Sequence, residues 1–162
     1  MYVYRSLVVG AVALVALAGC FPFGRSQAVE VSSSDANLNT RWHGTLASPA
    51  NLAGVVQVSG TATMVPGGDA QSTRVSLELA NASPGGEHPW GLHRGQCDRD
   101  EGLVGDRSSY KNVKVGSDGK AGATANVAIH TPTSGEYAVR VTASPTNTDM
   151  IIACANLAPP SR

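Results

Sequence analysis

The stretch that decides the fold class reads Thr73-Arg74-Val75-Ser76-Leu77-Glu78-Leu79-Ala80. Apolar and polar side chains alternate along it, so that Val75, Leu77 and Leu79 share one face and the charged residues lie on the other. A period of two residues is that of a β-strand with one buried face, because successive side chains point to opposite sides of a strand. We therefore predict a strand over residues 73–80.

Short segments of the same kind occur on both sides of this strand, between turn-forming residues. The predicted strands are Val55–Met64, Thr73–Ala80, Trp90–Arg94, Lys111–Val115, Ala121–Ile129, Glu136–Ala143 and Met150–Asn156. The turn at 116–119 is predicted to join the fourth and fifth of these as a hairpin, with Ala121, Ala123, Ala125, Val127 and Ile129 facing inward. No segment after residue 20 has a sustained helical period. The pattern predicts an all-β domain, an antiparallel β-sandwich over residues 52–157.

The N-terminus has the pattern of a bacterial lipoprotein signal peptide. Arg5 precedes Leu7–Ala18, an apolar run of twelve residues that is too short to span a bilayer as a helix. Leu17-Ala18-Gly19-Cys20 resembles the lipobox that lipoprotein signal peptidase reads. We predict that residues 1–19 are removed and that Cys20 carries the membrane lipid. The alternative is an ordinary signal peptide with a chance cysteine.

Residues 20–51 lack clean periodicity and are predicted to be a flexible spacer between lipid and domain, with 158–162 as a short tail. Trp42 and His43 interrupt the spacer, and they either begin the folded part or contact a partner. Of the 162 residues only 15% are charged and the net charge is zero, so nothing indicates nucleic acid as a partner. The predicted location is extracytoplasmic, on the periplasmic or cell-surface side of a membrane.

Two cysteines remain once Cys20 is assigned to lipid. In an oxidising compartment, Cys97 and Cys154 are expected to form a disulfide. A reduced pair or a metal site is the alternative.

Three segments together resemble the copper/zinc superoxide dismutase family. They are Trp90-Gly91-Leu92-His93-Arg94-Gly95-Gln96-Cys97, Gly135-Glu136-Tyr137-Ala138-Val139-Arg140-Val141 and Ile151-Ile152-Ala153-Cys154-Ala155-Asn156-Leu157. The resemblance covers about residues 55–157 and implies a Greek-key antiparallel β-sandwich. It also implies a cysteine just after a His-x-His copper strand and a second cysteine near the C-terminus.

The metal ligands of that family do not carry over. Of the copper strand only His93 is kept, because Gly91 stands where the first histidine would be. Thr142 replaces a further copper histidine, and Ile151 replaces the catalytic arginine. Only seven residues separate Cys97 from Gly105, and none of them is histidine. Asp106 matches the zinc aspartate, but the chain's four histidines are fewer than the six that the family's two metal sites use.

These losses favour a protein that is not an enzyme and has no cofactor. It would be a lipid-anchored domain that serves as a structural or accessory binding subunit, with a protein partner in a membrane assembly. The alternative is a divergent metal-binding protein or superoxide dismutase, in which His88, His93 and Asp106 hold one copper or zinc ion. A third hypothesis is a binding domain for a small molecule.

Overall fold

A computed structural model describes residues 40–55 and 57–160, and their regular structure is almost entirely β-strand. The strands are β1 (Trp42–Ala47), β2 (Ser59–Pro66), β3 (Thr73–Ala80), β4 (Glu87–His88), β5 (Trp90–Gly95), β6 (Asp100–Leu103), β7 (Val113–Lys114), β8 (Ala121–Val127), β9 (Tyr137–Ser144) and β10 (Asn147–Asn156). Short 3-10 turns lie at Ala50–Leu52 and Arg107–Ser109. The all-β prediction is confirmed.

Eight of the strands form one antiparallel, curled sheet. Their order is β6-β5-β9-β10-β1-β2-β3-β8, and β4 and β7 form a separate two-stranded sheet. The strands β1, β2 and β3 follow one another as direct neighbours, whereas β8 returns to pair with β3 and β9 returns to pair with β5. Curling lets strands from the two ends of the sheet bury their inner faces in one hydrophobic core.

The strand over 73–80 is confirmed with its predicted bounds. Val75, Leu77 and Leu79 are at most 3% exposed, and β3 pairs along its length with β2 and β8. Two aromatic contacts belong to the same hydrophobic core. Trp42 meets Tyr137 edge-on, with ring centroids 5.5 Å apart. Trp90 meets Tyr110 in the same way, with ring centroids 5.3 Å apart. The quadrupoles of aromatic rings favour this edge-on arrangement.

The folded part extends beyond the predicted limits of 52 and 157 at both ends. Strand β1 lies inside the range predicted to be spacer, and its Trp42 and Leu46 are fully buried. At the other end, Ala158 exchanges two backbone hydrogen bonds with His43. The inward position between Trp42 and Leu46 is Gly44, where a Cβ would lie 2.5 Å from the Asn156 carbonyl oxygen. A glycine at an inward position hides the alternation that marks a strand.

The predicted hairpin between 111–115 and 121–129 is wrong in its pairing. Strand β7 pairs with β4, through Glu87↔Lys114 and His88↔Val113, while β8 pairs with β3. The turn itself is present, closed by the Gly116 N–H on the Lys120 carbonyl at 2.9 Å. Alternation specifies which face of a strand is buried but not which strand lies beside it.

Cys97 and Cys154 form a disulfide with their sulfur atoms 2.04 Å apart. It joins the loop after β5 to β10, and a disulfide is compatible with an extracytoplasmic location. Within residues 40–55 and 57–160, no helix is long and apolar enough to cross a membrane. The predicted signal peptide and Cys20 lie outside the described residues, so lipidation stays a prediction.

Candidate functional site

The site expected from the copper strand lies on the outer face of β5. Trp90 and Leu92 point into the core, so Gly91 and His93 fall on the opposite face. Leu103 of β6 covers Gly91, and its Cδ1 lies 2.4 Å from the place of a Cβ on that glycine. A leucine methyl group therefore occupies the start of the space that a first copper histidine would need.

His93 is held by a carboxylate that the sequence analysis did not single out. Its Nδ1 lies 2.9 Å from Oδ1 of Asp100, which also accepts the backbone N–H of Gly102 at 2.9 Å. The other oxygen of Asp100 pairs with the guanidinium of Arg140 on β9. Since an ionised carboxylate only accepts, the His93 Nδ1 carries the hydrogen and the remaining ring nitrogen is Nε2.

The charge of Asp100 is favoured by its partners. Burial alone acts to raise the pKa of this carboxyl, but the N–H of Gly102, the hydrogen bond and charge of His93 and the charge of Arg140 outweigh it. The pKa therefore lies below its ordinary value of 3.8. A carboxylate that stays ionised orients the imidazole over the whole neutral range.

A surface cavity of about 260 Å³ opens beside this cluster. It is lined by Pro89, Trp90, His93, Leu103, Arg107, Arg140, Thr142 and Thr148. Arg107 enters from the 3-10 turn that follows β6. Its Nη1 donates to the Trp90 carbonyl at 2.5 Å, and its Nη2 lies 3.4 Å from Oδ1 of Asn112.

His88 lies in a different environment from His93. It is 6% exposed on β4, and its Nδ1 donates to the Ala143 carbonyl at 2.8 Å. Its Nε2 is buried without a hydrogen-bond partner among the described residues, and it faces Gly86, where a Cβ would lie 2.6 Å away. This geometry is that of a histidine packed under a glycine turn.

The remaining candidates are spread over the surface. Asp106 is exposed at the start of the 3-10 turn, and His43 and His130 are also exposed. Over the described part of the chain, no group of three or more histidine, cysteine, aspartate or glutamate side chains is placed to hold a metal ion. The structure thus does not bring His88, His93 and Asp106 together as a metal-binding group.

The two other positions compared with the copper site hold side chains without an imidazole or a charge. Thr142 donates its hydroxyl to the Pro89 carbonyl at 3.2 Å. Ile151 pairs with Thr142 across the β9–β10 ladder and lines a second cavity, of about 590 Å³, beside the disulfide. Neither residue offers the nitrogen or sulfur ligand that copper favours.

No protein-family model matches the sequence of this chain, and no curated protein matches it.

Proposed function

We propose that this chain is a lipid-anchored extracytoplasmic domain of the superoxide dismutase type that lacks the catalytic metal site and acts as an accessory binding subunit. The strand order supports the Greek-key form of that fold. Strands β1–β3 and β8 form one half of the curled sheet, while β5, β6, β9 and β10 form the other. The connections from β3 to β5, from β6 to β8 and from β8 to β9 cross between the halves, as connections do in Greek-key sandwiches.

The proposal is supported chiefly by β5, the strand that resembles the copper-binding strand of the superoxide dismutase family. One imidazole is left, and its Nδ1 is committed to Asp100. Gly91 is covered by Leu103, and Thr142 is bonded to a backbone carbonyl. Copper that cycles between two oxidation states needs several nitrogen ligands in a defined geometry, and a single imidazole supplies neither the affinity nor the geometry.

The proposed anchor is supported by the sequence motif at Cys20, and the proposed partner is compatible with the composition of the chain. Cys20 would hold the chain to a membrane through acyl groups, each buried CH₂ contributing about 0.8 kcal/mol. In this proposal, the residues between Cys20 and β1 link the lipid to the domain. A low charge and a fold without its catalytic centre fit a subunit that docks on a larger membrane assembly.

One observation favours the alternative of a divergent metal site. His88 offers a buried nitrogen without a partner, and its Nδ1 is bonded to a backbone carbonyl, as the second nitrogen of a metal-bound histidine often is. Such a site would need at least one further ligand beside His88.

Metal content separates the two functions. Full-length protein in detergent would be loaded with copper and zinc and dialysed against buffer treated with a chelating resin. Its copper and zinc content would then be measured by mass spectrometry. We expect far less than one metal ion per chain, and His93→Ala and His88→Gln should leave this unchanged. One copper or zinc ion per chain that is lost in either variant would contradict the proposal and favour the alternative.

A further inference from the structure

We propose that the cavity bounded by His93, Arg107 and Arg140 binds the carboxylate group of a small ligand. The inference rests on the proposed function in one respect, since it takes the imidazole of His93 to be free of metal. It goes further by naming the chemistry that this outer face of β5 and β9 recognises.

The cavity carries an excess of positive charge. Its three cationic or titratable side chains come from three separate elements, β5, β9 and the 3-10 turn. Asp100 is the carboxylate in contact with them, and both of its oxygens are already engaged by His93 and Arg140. Arg107 has no carboxylate partner among the described residues. Its charge is therefore left for a ligand.

Arg107 is held in place by neutral groups. Its two contacts are a backbone carbonyl, on Trp90, and the side-chain amide oxygen of Asn112. The nearest acidic residue in this network is Glu87, which accepts a hydrogen bond from the Asn112 amide at 3.0 Å and makes no ion pair with the guanidinium. A guanidinium that is oriented but not neutralised is preorganised for an anion, because less side-chain entropy is lost on binding.

His93 completes the arrangement. Asp100 holds Nδ1, so the ring orientation is fixed and Nε2 is the atom left for a ligand. The apolar part of the lining, Trp90 and Leu103, excludes water from one side and strengthens the charge interactions. A carboxylate suits this set, because its two oxygens match the forked donors of a guanidinium, and the imidazolium form of His93 can donate to it from Nε2.

The volume restricts the ligand to a small group. About 260 Å³ is below the range of cavities that enclose drug-sized molecules. It suits a free organic acid of a few heavy atoms or an acidic side chain of a partner protein. Both sources offer the same carboxylate, so the two must be separated by experiment.

The test is calorimetric titration of the metal-free, full-length protein in detergent, at constant ionic strength. Malonate serves as the free acid and the peptide acetyl-Gly-Asp-Gly-amide as the side-chain source. We expect saturable binding of at least one probe, and the tighter one identifies the source. Arg107→Gln should weaken it about tenfold or more, the effect of losing a hydrogen bond to a charged group. Backbone amide resonances of residues 91–93 and 107 should shift with the same saturation.

Arg74→Gln is the matched control. Arg74 lies on the exposed face of β3, far along the sheet from β5, and its loss changes the net charge equally. We expect this variant to bind within a factor of about two of the original. His93→Gln provides a second variant if Arg107→Gln does not fold. No saturable binding of either probe, or equal weakening by Arg74→Gln, would overturn the proposal. Because the titration is made without metal, its failure would leave the result of the metal-content measurement unaffected.

Discussion

Removal of the Cys97–Cys154 disulfide should lower the free energy of unfolding by an amount that depends on the length of the loop that the disulfide closes. The two cysteines are 57 residues apart in sequence. A cross-link over such a length restricts the unfolded chain by about 4 kcal/mol at 25 °C in the chain-entropy model. A domain of this size is stable by roughly 5–15 kcal/mol, so a large share of the total depends on this bond.

The native contacts around the bond should survive its loss. The Cys97 N–H donates to Oδ1 of Asn156 at 2.7 Å, and the Cys97 carbonyl accepts from Arg140 at 3.3 Å. Cys154 lies in the β9–β10 ladder opposite Arg140. We therefore expect the Cys97→Ser/Cys154→Ser protein to keep its fold and to lose stability mainly through a less restricted unfolded state.

Urea unfolding followed by tryptophan fluorescence measures this loss, because Trp42 and Trp90 are buried and report the core. With a slope of about 2 kcal/mol per molar urea, the midpoint should fall by about 2 M. Dithiothreitol should shift the original protein by the same amount and leave the double serine variant unchanged. A loss below about 1 kcal/mol, or two free thiols in protein from an oxidising compartment, would show that this disulfide does not stabilise the domain in this way.

Three further predictions concern the lipid and two titrating groups. Intact-mass analysis should find acyl groups on Cys20 and none in Cys20→Ala; an unlipidated mature N-terminus elsewhere would contradict the lipoprotein assignment. The pKa of Asp100 is lower in the folded protein than its unfolded value of 3.8. The stability that this carboxylate contributes is therefore complete above pH 3.8 and is lost as the pH falls through the folded pKa. Asp100→Asn should flatten the acid limb of the profile of stability against pH. An unchanged acid limb in Asp100→Asn would show that the partners of Asp100 do not stabilise its ionised form. Burial raises the pKa of Tyr110 to about 12, so stability should fall as the pH rises from 10 towards 12, by up to roughly 2–3 kcal/mol. Tyr110→Phe should abolish this alkaline dependence and, by removing the hydrogen bond to the Val104 carbonyl, cost about 1 kcal/mol at neutral pH.

Local patterns predicted the strands whose inner faces carry an unbroken series of apolar residues. Strand β3 is the clearest case. In β8, the inward alternation predicted from Ala121 to Ile129 is found as far as Val127, where the strand ends, with Ala125 and Val127 buried. Strand β4 has two residues and β6 reads Asp-Glu-Gly-Leu, so neither shows a period, and both were missed.

The partners of His93 could not be found from sequence. Asp98, Asp100 and Glu101 lie close together after β5, and nothing in the sequence separates them. The fold selects Asp100, because the β5–β6 register places it opposite Gly95 with an irregularity next to His93. Arg140 comes from a strand 47 residues beyond His93, and its position depends on the pairing of β5 with β9. Contacts of this kind are set by tertiary structure alone.

We propose that the domain has the superoxide dismutase type of fold and lacks its catalytic centre. The decisive assay is superoxide disproportionation by the full-length protein reconstituted with copper and zinc, compared with free copper and with His93→Ala. We expect no activity beyond that of the copper released into solution, and no difference between the original protein and the variant. Activity that accompanies one tightly bound copper per chain and disappears in His93→Ala would contradict the account.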